Sequence, residues 1–289
     1  MGGIDSSIPV SVVIPARNAE ATIGAQIAAL RDQYDSSFEV ILVDNASEDR
    51  TVKMARAAAG TMPITVVVES CQGSNRARNT GIAHASHQRI VMCDADDVIG
   101  EGWVKALGSR IEPGFWVSGL LDFEHLNCAN TRTMRRRPSK HVGSTVEQSW
   151  GGNCGFTKSD WAAVGGFDGR ISGWGDETEF FQRMRIAGMT GIAIPEAVVH
   201  YRLRPGARNL LRDEFRCGVS HEKIVRLGIS RGRYTTFSVL GRLARIWVHI
   251  GLLSVTAWSL PRRSRHLAGI GYHAGRILGR WRHLEDDHS

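Results

Sequence analysis

The tetrapeptide Asp94-Ala95-Asp96-Asp97 closes an apolar run, Ile90-Val91-Met92-Cys93. Carboxylates at i and i+2 project to the same side of an extended chain. Such a pair suits a hard divalent cation, which keeps several waters and shares its remaining positions with substrate phosphates. The chemistry expected is binding of a nucleotide diphosphate through a metal bridge. A lone Asp-x-Asp is common in surface loops, so the neighbouring runs decide. Val10-Ser11-Val12-Val13-Ile14 leads into Pro15-Ala16-Arg17-Asn18, Val40-Ile41-Leu42-Val43 ends at Asp44, and Ile64 to Val68 ends at Glu69. Each polar end alone reads as a loop start, since Asp and Asn favour turns. Together they read as a site.

These runs are too short for helices and rich in Val and Ile, as buried parallel strands are. Between the first two, Ile23, Ile27 and Leu30 recur at helical spacing. Ser47 can cap a second helix through Val52, Met54 and Ala55 to Gly60, and a third is expected from about Ser74 to Ala85. Alternating strands and helices imply an α/β fold with a Rossmann-like, mainly parallel sheet flanked by helices. In such sheets ligands bind outside the carboxyl ends of the strands, where Asp44, Glu69, Asp94 and Asp96 stand. No Gly-x-Gly-x-x-Gly follows the first strand and no P-loop motif occurs, which disfavours dinucleotide oxidoreductases and P-loop enzymes.

Of the 289 residues, 42% are hydrophobic and 22% charged, an ordinary globular composition that excludes wholesale disorder and a multi-span membrane protein. Five widely spaced cysteines, none in a Cys-x-x-Cys pair, indicate neither a disulfide framework nor a zinc site. With an N-terminus unlike a signal peptide, the expectation is a cytoplasmic protein, with the inner face of the cell membrane as a peripheral site. Charge is uneven. Residues 1–201 hold 19 basic and 23 acidic side chains, whereas residues 202–289 hold 17 basic and 6 acidic. The expected division is one domain over 1–201, with halves at 1–97 and 98–201, and a basic, mainly helical extension over 202–289.

The chain resembles the family 2 glycosyltransferases, from roughly Ser11 to His200, with motifs in the family's order. Val12-Val13-Ile14-Pro15-Ala16-Arg17-Asn18 resembles the opening strand and loop. Val43-Asp44-Asn45-Ala46-Ser47-Glu48-Asp49 resembles the base-recognition segment, and Gly73 to Gly81 the stretch beside the nucleotide. Asp94-Ala95-Asp96 stands where the family has its metal-binding Asp-x-Asp. The resemblance implies an A-type glycosyltransferase fold, a nucleotide-sugar donor, a divalent metal (Mn2+ or Mg2+) and inversion at the anomeric carbon. It implies nucleotide contacts from Pro15, Ala16, Arg17, Asn18, Asp44, Arg78, Asn79 and Asp94, and a metal on Asp96 and His200. Asp97 is either a ligand or a support, and Glu69 either touches the nucleotide or only ends a strand. Arg202 and Arg204 follow His200 and either contact the diphosphate or are solvated.

Gly152-Asn153-Cys154-Gly155-Phe156 and Gly173-Trp174-Gly175-Asp176-Glu177-Thr178-Glu179 resemble the acceptor side, implying contacts from Asn153, Gly173, Trp174 and Gly175. The family commonly reads Glu-Asp-x-Asp/Glu in the second segment, with the second acid as general base. Here the first two types are swapped, so position makes Glu177 the base and leaves Asp176 as a substitute. The acceptor expected is a glycan, lipid-linked or cell-envelope hydroxyl, with a UDP-sugar as donor on family frequency.

The tail leaves alternatives open. Ile246 to Leu260 is an apolar 15-residue segment between Arg245 and Pro261-Arg262-Arg263, shorter than a spanning helix. It is read equally as a helix on an anionic membrane surface and as a helix buried on the catalytic domain. Gly269 to Arg282 reads as another basic helix at an oligomer contact, and Arg132 to His141 as a solvated basic loop by default, with a mobile acceptor loop facing an anionic group as the alternative. Two competing functions are a nucleotidyltransferase and an inactive relative acting as a basic anion- or membrane-binding module. Arginine density suits phosphate, but no nucleic-acid motif accompanies it, so no nucleic-acid partner is expected.

Overall fold

The structure, a computed structural model, describes residues 9–35, 37–135, 140–142, 150–171, 176–226, 239–256 and 258–286. Strand and helix alternate through β1 (Val10–Ala16), α1 (Ile23–Arg31), β2 (Phe38–Asp44), α2 (Thr51–Ala59), β3 (Ile64–Val68), α3 (Ser74–His84) and β4 (Arg89–Cys93). These strands lie in the order β3-β2-β1-β4 and pair in parallel throughout. Both faces are covered. Val12, Ile14 and Leu42 join one core cluster, with Ile23, Ile27 and Leu30 of α1, while Val13, Ile41 and Val43 join the other, with Ala77 and Ile82 of α3. Alternation of side chains along strands buried on both faces explains why their sequences read as continuous apolar runs.

Two local readings change. Pro15 does not stop the first strand, which continues to Ala16. Ala16 accepts from Asn45 on the β2 side, so Pro15 turns its nitrogen toward β4, where pairing has already ended at Val13. A missing N–H costs nothing there. Ser47 does not cap α2, which begins at Thr51; its hydroxyl instead accepts from the Asn18 N–H at 3.1 Å.

The chain continues through β5 (Val98–Ile99), α4 (Trp103–Gly108), β6 (Phe115–Asp122), α5 (Ala129–Arg135), β7 (Lys140–Val142), β8 (Asn153–Thr157), α6 (Lys158–Ala163), α7 (Asp176–Ile186) and β9 (Thr190–His200). The sheet runs on from β4 through β8, β6 and β9 to β5. β8 is antiparallel to both β4 and β6, β9 is parallel to β6, and β5 is antiparallel to β9. The second half of the sheet is therefore mixed. Its register slips between Gly119, paired with Ile194, and Leu120, paired with Val198. Asn153 fills the slip. Its amide donates to the Leu120 and Ala197 carbonyls, both at 3.0 Å, and its oxygen accepts from Trp103 Nε1 at 2.8 Å.

Three helices complete the chain: α8 (Ala207–Arg226), α9 (Val239–Val255) and α10 (Leu260–Asp286). α8 and α10 meet through glycines. A Cβ on Gly218 would lie 2.8 Å from the Arg276 nitrogen, and one on Gly275 2.7 Å from the Phe215 carbonyl carbon. The segment read as an oligomer helix thus uses its glycine face inside the chain. Arg276 is fully buried and donates from Nε to Glu222 at 2.6 Å, and Arg242 of α9 approaches the same carboxylate at 3.7 Å. Buried charges persist only when paired in this way. The 15-residue apolar segment is not one element: α9 ends at Val255 and α10 starts at Leu260, with Pro261 in the first turn where no N–H is needed. Arg135 ties the helices to the sheet by pairing with Asp213 at 2.8 Å. No helix among the described residues is long and apolar enough to cross a membrane.

Candidate active site

The loops after β1 and β2 form one rim. Asn18 takes a left-handed backbone (φ 49°), and its side-chain oxygen accepts from the Glu48 N–H at 2.8 Å. Ser47 links back by donating its own N–H to Asp44 Oδ1 at 3.2 Å. Asp44 and Pro15 are half-buried on this rim, Ala16 is buried, and Arg17 is exposed. Glu69, at the end of β3, has both oxygens engaged, by the Thr80 hydroxyl at 2.6 Å and the Cys71 N–H at 2.8 Å. Those two hydrogen bonds hold its carboxyl below the usual range. Of its two readings, this geometry favours closing the loop.

At the end of β4, Asp94 faces the buried Arg78 of α3, with Nη2 3.5 Å from Oδ1. Arg78 is fixed from two sides: it donates to Asn75 Oδ1 at 3.2 Å and lies over the Phe167 ring at 5.7 Å. Gly151 and Gly152 press on this pair. A Cβ on Gly152 would sit 2.7 Å from Asp94 Cγ, and one on Gly151 would sit 2.9 Å from Arg78 Nη2 and 3.3 Å from Glu177 Cβ. The glycine pair therefore brings Glu177, the second residue of α7, to the edge that carries Asp94 and Arg78. Gly152→Ala is expected to push the Asp94 carboxylate aside and weaken nucleoside diphosphate binding by about 10-fold, with the melting temperature little changed. Calorimetric titration with a nucleoside diphosphate measures it; unaltered affinity removes Asp94 from the donor pocket.

Asp96 and Asp97 diverge. The Asp96 side chain remains 40% exposed, with Arg204 Nη2 3.4 Å away. Asp97 is buried and accepts the Arg202 N–H at 2.7 Å. Burial, reinforced by Asp96 and Asp94, pushes its carboxyl well above the usual range. Through the bond from the Arg202 N–H, Asp97 pins the exit of β4 to the segment after β9. Arg202 also donates from Nε to the Asp96 carbonyl at 2.8 Å, which buttresses the acidic turn. Arg204 bridges Asp96 and Asp213 of α8, 3.7 Å away.

β9 brings His200 to the same edge, through its pairing with Val98 two residues beyond Asp96. His200 Nδ1 lies 2.8 Å from Asp122 Oδ2, at the end of β6. Burial raises the Asp122 carboxyl, but hydrogen bonds from the Glu124 N–H and from His200 outweigh it and leave it lowered. His125 stacks on His200 with ring centroids 4.2 Å apart. Asp122, His125 and His200 bring ligand atoms within 4.8 Å of one another. With Nδ1 held by Asp122, Nε2 of His200 is the nitrogen left for a metal, the usual way a carboxylate orients a histidine ligand. Imidazole and carboxylate together suit a divalent metal ion.

Two residues expected at the site have their amides used elsewhere. Asn79 donates to the Phe167 carbonyl at 2.8 Å and accepts from Phe167 N–H and Trp161 Nε1. Asn153 fills the sheet irregularity described above. Both shape the cleft through its walls. Gly173, Trp174 and Gly175 lie outside the described residues, as does the side chain of Asp176, the first residue of α7. Glu179 is buried against Arg183 one turn on, and of the described acidic side chains of α7 Glu177 is the one beside Gly151. Sequence reasoning passed over Asp122, His125 and Gly151. Leu120-Leu121-Asp122 carries the same signal as the other strand ends, an apolar run closed by a carboxylate.

Residues 11–143 match the family model for glycosyl transferase family 2, and residues 131–204 that for the N-terminal domain of galactosyltransferase. An undecaprenyl-phosphate 4-deoxy-4-formamido-L-arabinose transferase of Pseudomonas aeruginosa is 30% identical over 150 residues, 49% of this chain and 42% of that relative. The chain thus matches less than half that relative's length. Among solved structures, a mannosyltransferase of Pyrobaculum calidifontis in complex with GDP-Man and Mn2+ superposes with a TM-score of 0.67. It is 18% identical, over 96% of this chain and 88% of that one. TarS of S. aureus, residues 1–349 in complex with UDP-GlcNAc, gives a TM-score of 0.56 at 14% identity, over 95% and 92% of the two chains. These likenesses establish the A-type glycosyltransferase fold. The family match runs from β1 to β7 and takes in the acidic end of β4, so over residues 11–143 the chain is similar to glycosyltransferase family 2.

Proposed function

We propose that this chain is an inverting, metal-dependent glycosyltransferase that moves a sugar from a nucleotide diphosphate sugar to a hydroxyl of a lipid-linked or cell-envelope glycan. The observation that carries this reading is the packing of Gly151 and Gly152, which sets Glu177 against the edge bearing Asp94 and Arg78. Glu177 takes the proton of the acceptor hydroxyl as its oxygen attacks the anomeric carbon. The bond from that carbon to the diphosphate oxygen breaks with its electron pair, and the nucleoside diphosphate leaves. A single displacement inverts the anomeric centre. Base assistance of this kind contributes ~10²–10⁴-fold. Asp96 and His200 would hold the divalent ion, which would neutralise charge on the leaving diphosphate as a Lewis acid. The rim of Pro15, Ala16, Arg17, Asn18 and Asp44 takes the nucleoside, with Arg78 and Asp94 beside the ribose and diphosphate.

Relatives support the finer assignments. The Pseudomonas relative's name contains undecaprenyl phosphate, which supports a lipid-linked acceptor. The UDP-GlcNAc complex of TarS supports a UDP-sugar, and the Mn2+ in the Pyrobaculum enzyme supports a divalent metal. Such an acceptor places the chain at the cytoplasmic face of a membrane, with the catalytic unit over 1–201 and peripheral contact through the unit over 202–289. The family match favours sugar transfer over nucleotidyl transfer.

The test is nucleoside diphosphate release from UDP- and GDP-sugars with Mn2+ and a sugar linked to polyprenyl diphosphate as acceptor. Metal-dependent release with one base, and a product of inverted anomeric configuration by NMR, is the expected result. A retained configuration, or a nucleotidyl group joined to the acceptor, overturns the reading.

A further inference from the structure

α9 faces the wrong way for a helix packed only on protein. Its inward stripe carries Arg242 and His249, seven residues apart, with the buried Thr256 seven further on, just past the helix end, and Arg242 is only 2% exposed. Its outward side carries Leu240 at 78% exposure, Trp247 at 71%, Val248 at 59% and Val255 at 52%, and Trp258 follows at 78%. Helices on a protein core normally bury the apolar stripe. This orientation is fixed, because the inward polar groups have partners: Arg242 meets Glu222 of α8 at 3.7 Å, and His249 Nδ1 lies 3.1 Å from His266 Nδ1 of α10. The apolar side is therefore a built surface.

Charge identifies what covers it. From Lys223 to Leu284 the sequence has no acidic residue, while Arg245, Arg262, Arg263 and Arg265 are exposed on α9 and the first turns of α10. We propose that the outward face of α9, with Trp258 and these arginines, docks on an anionic lipid bilayer, the helix lying flat in the headgroup region. Its 17 residues, about 25 Å long at the helical rise, are too few to cross. Trp247 at the middle of the apolar stripe and Trp258 just beyond its end suit the interface, where their rings are half wet. Arginines beside them attract anionic headgroups. Symmetric pairing of two copies through this face would instead set those arginines against their own counterparts, with no carboxylate in the same stretch to offset them.

This surface rests on the reading of a membrane-borne acceptor, but vesicle binding requires no turnover. A negative result there leaves sugar transfer standing, and a silent transfer assay leaves the membrane face standing. The experiment is flotation of the full chain with vesicles of phosphatidylglycerol and phosphatidylcholine in equal parts, and of phosphatidylcholine alone. The chain is expected to float with the anionic vesicles. W247S/W258S, at exposed positions, is expected to lose about 10-fold or more in partitioning, with an unchanged circular dichroism spectrum. R262Q/R263Q/R265Q is expected to lose about 10²-fold on anionic vesicles and little on neutral ones. Equal partitioning of all three proteins overturns the proposal. So does a dimer in light scattering that W247S/W258S dissociates while the intact chain leaves vesicles alone; a second copy then covers the face.

Discussion

Glu177→Gln is expected to lower turnover by ~10²-fold or more while leaving nucleoside diphosphate affinity unchanged. The amide keeps the shape and the contacts of the side chain's stem but no longer accepts a proton. Glu177 stands at the second position of α7, half-buried, with its Cβ against the Gly151 backbone. The neighbouring acids are otherwise placed: Glu179 is locked to Arg183, and Asp94 faces Arg78. If Asp176 supplies the base instead, Asp176→Asn carries the loss and Glu177→Gln does not. Steady-state kinetics on both variants, with nucleoside diphosphate titrations beside them, separate the two. Full turnover in both removes base catalysis from α7.

The second large effect concerns the metal. Asp96→Asn is expected to weaken metal-supported nucleotide binding by ~10²-fold, because outer partners of a metal ligand alone cost 10–100-fold and Asp96 is assigned as a direct ligand. Asp122→Asn is expected to fall within that smaller range. It leaves His200 in place but exchanges the carboxylate that orients Nδ1, 2.8 Å away, for a neutral amide. Titration of Mn2+ by electron paramagnetic resonance reads both without turnover. Normal Mn2+ affinity in Asp96→Asn takes that residue out of the site. Normal affinity in Asp122→Asn makes its hydrogen bond a structural one.

What was legible in the sequence followed from strand chemistry. Parallel strands buried on both faces must be apolar throughout, so β1 to β4 are visible as runs, and their carboxyl ends are the edge where a ligand is expected. The second half was harder for a physical reason. Its strands pair in mixed directions, and the Asn153 amide that fills the slip between β6 and β9 joins residues 33 and 44 positions away. No local pattern encodes such a bond. The bonds of Asn79 are equally invisible locally, since its partners Trp161 and Phe167 come from the far half of the chain. The tail showed the opposite failure. Residues 246–260 were read as one apolar segment, but hydrophobicity alone does not say which side of a helix is covered. Only the inward turn of Arg242 toward Glu222 reveals that the apolar side points out.

The most direct test of the central claim is thermal stabilisation of the intact chain by UDP, GDP, CDP and ADP, each with and without Mn2+ or Mg2+. A rise in melting temperature for one base that requires the metal, and that Asp96→Asn abolishes, is the predicted result. Stabilisation that is the same with and without metal, or none with any nucleotide, would contradict a metal-bridged donor site at the ends of β4 and β9.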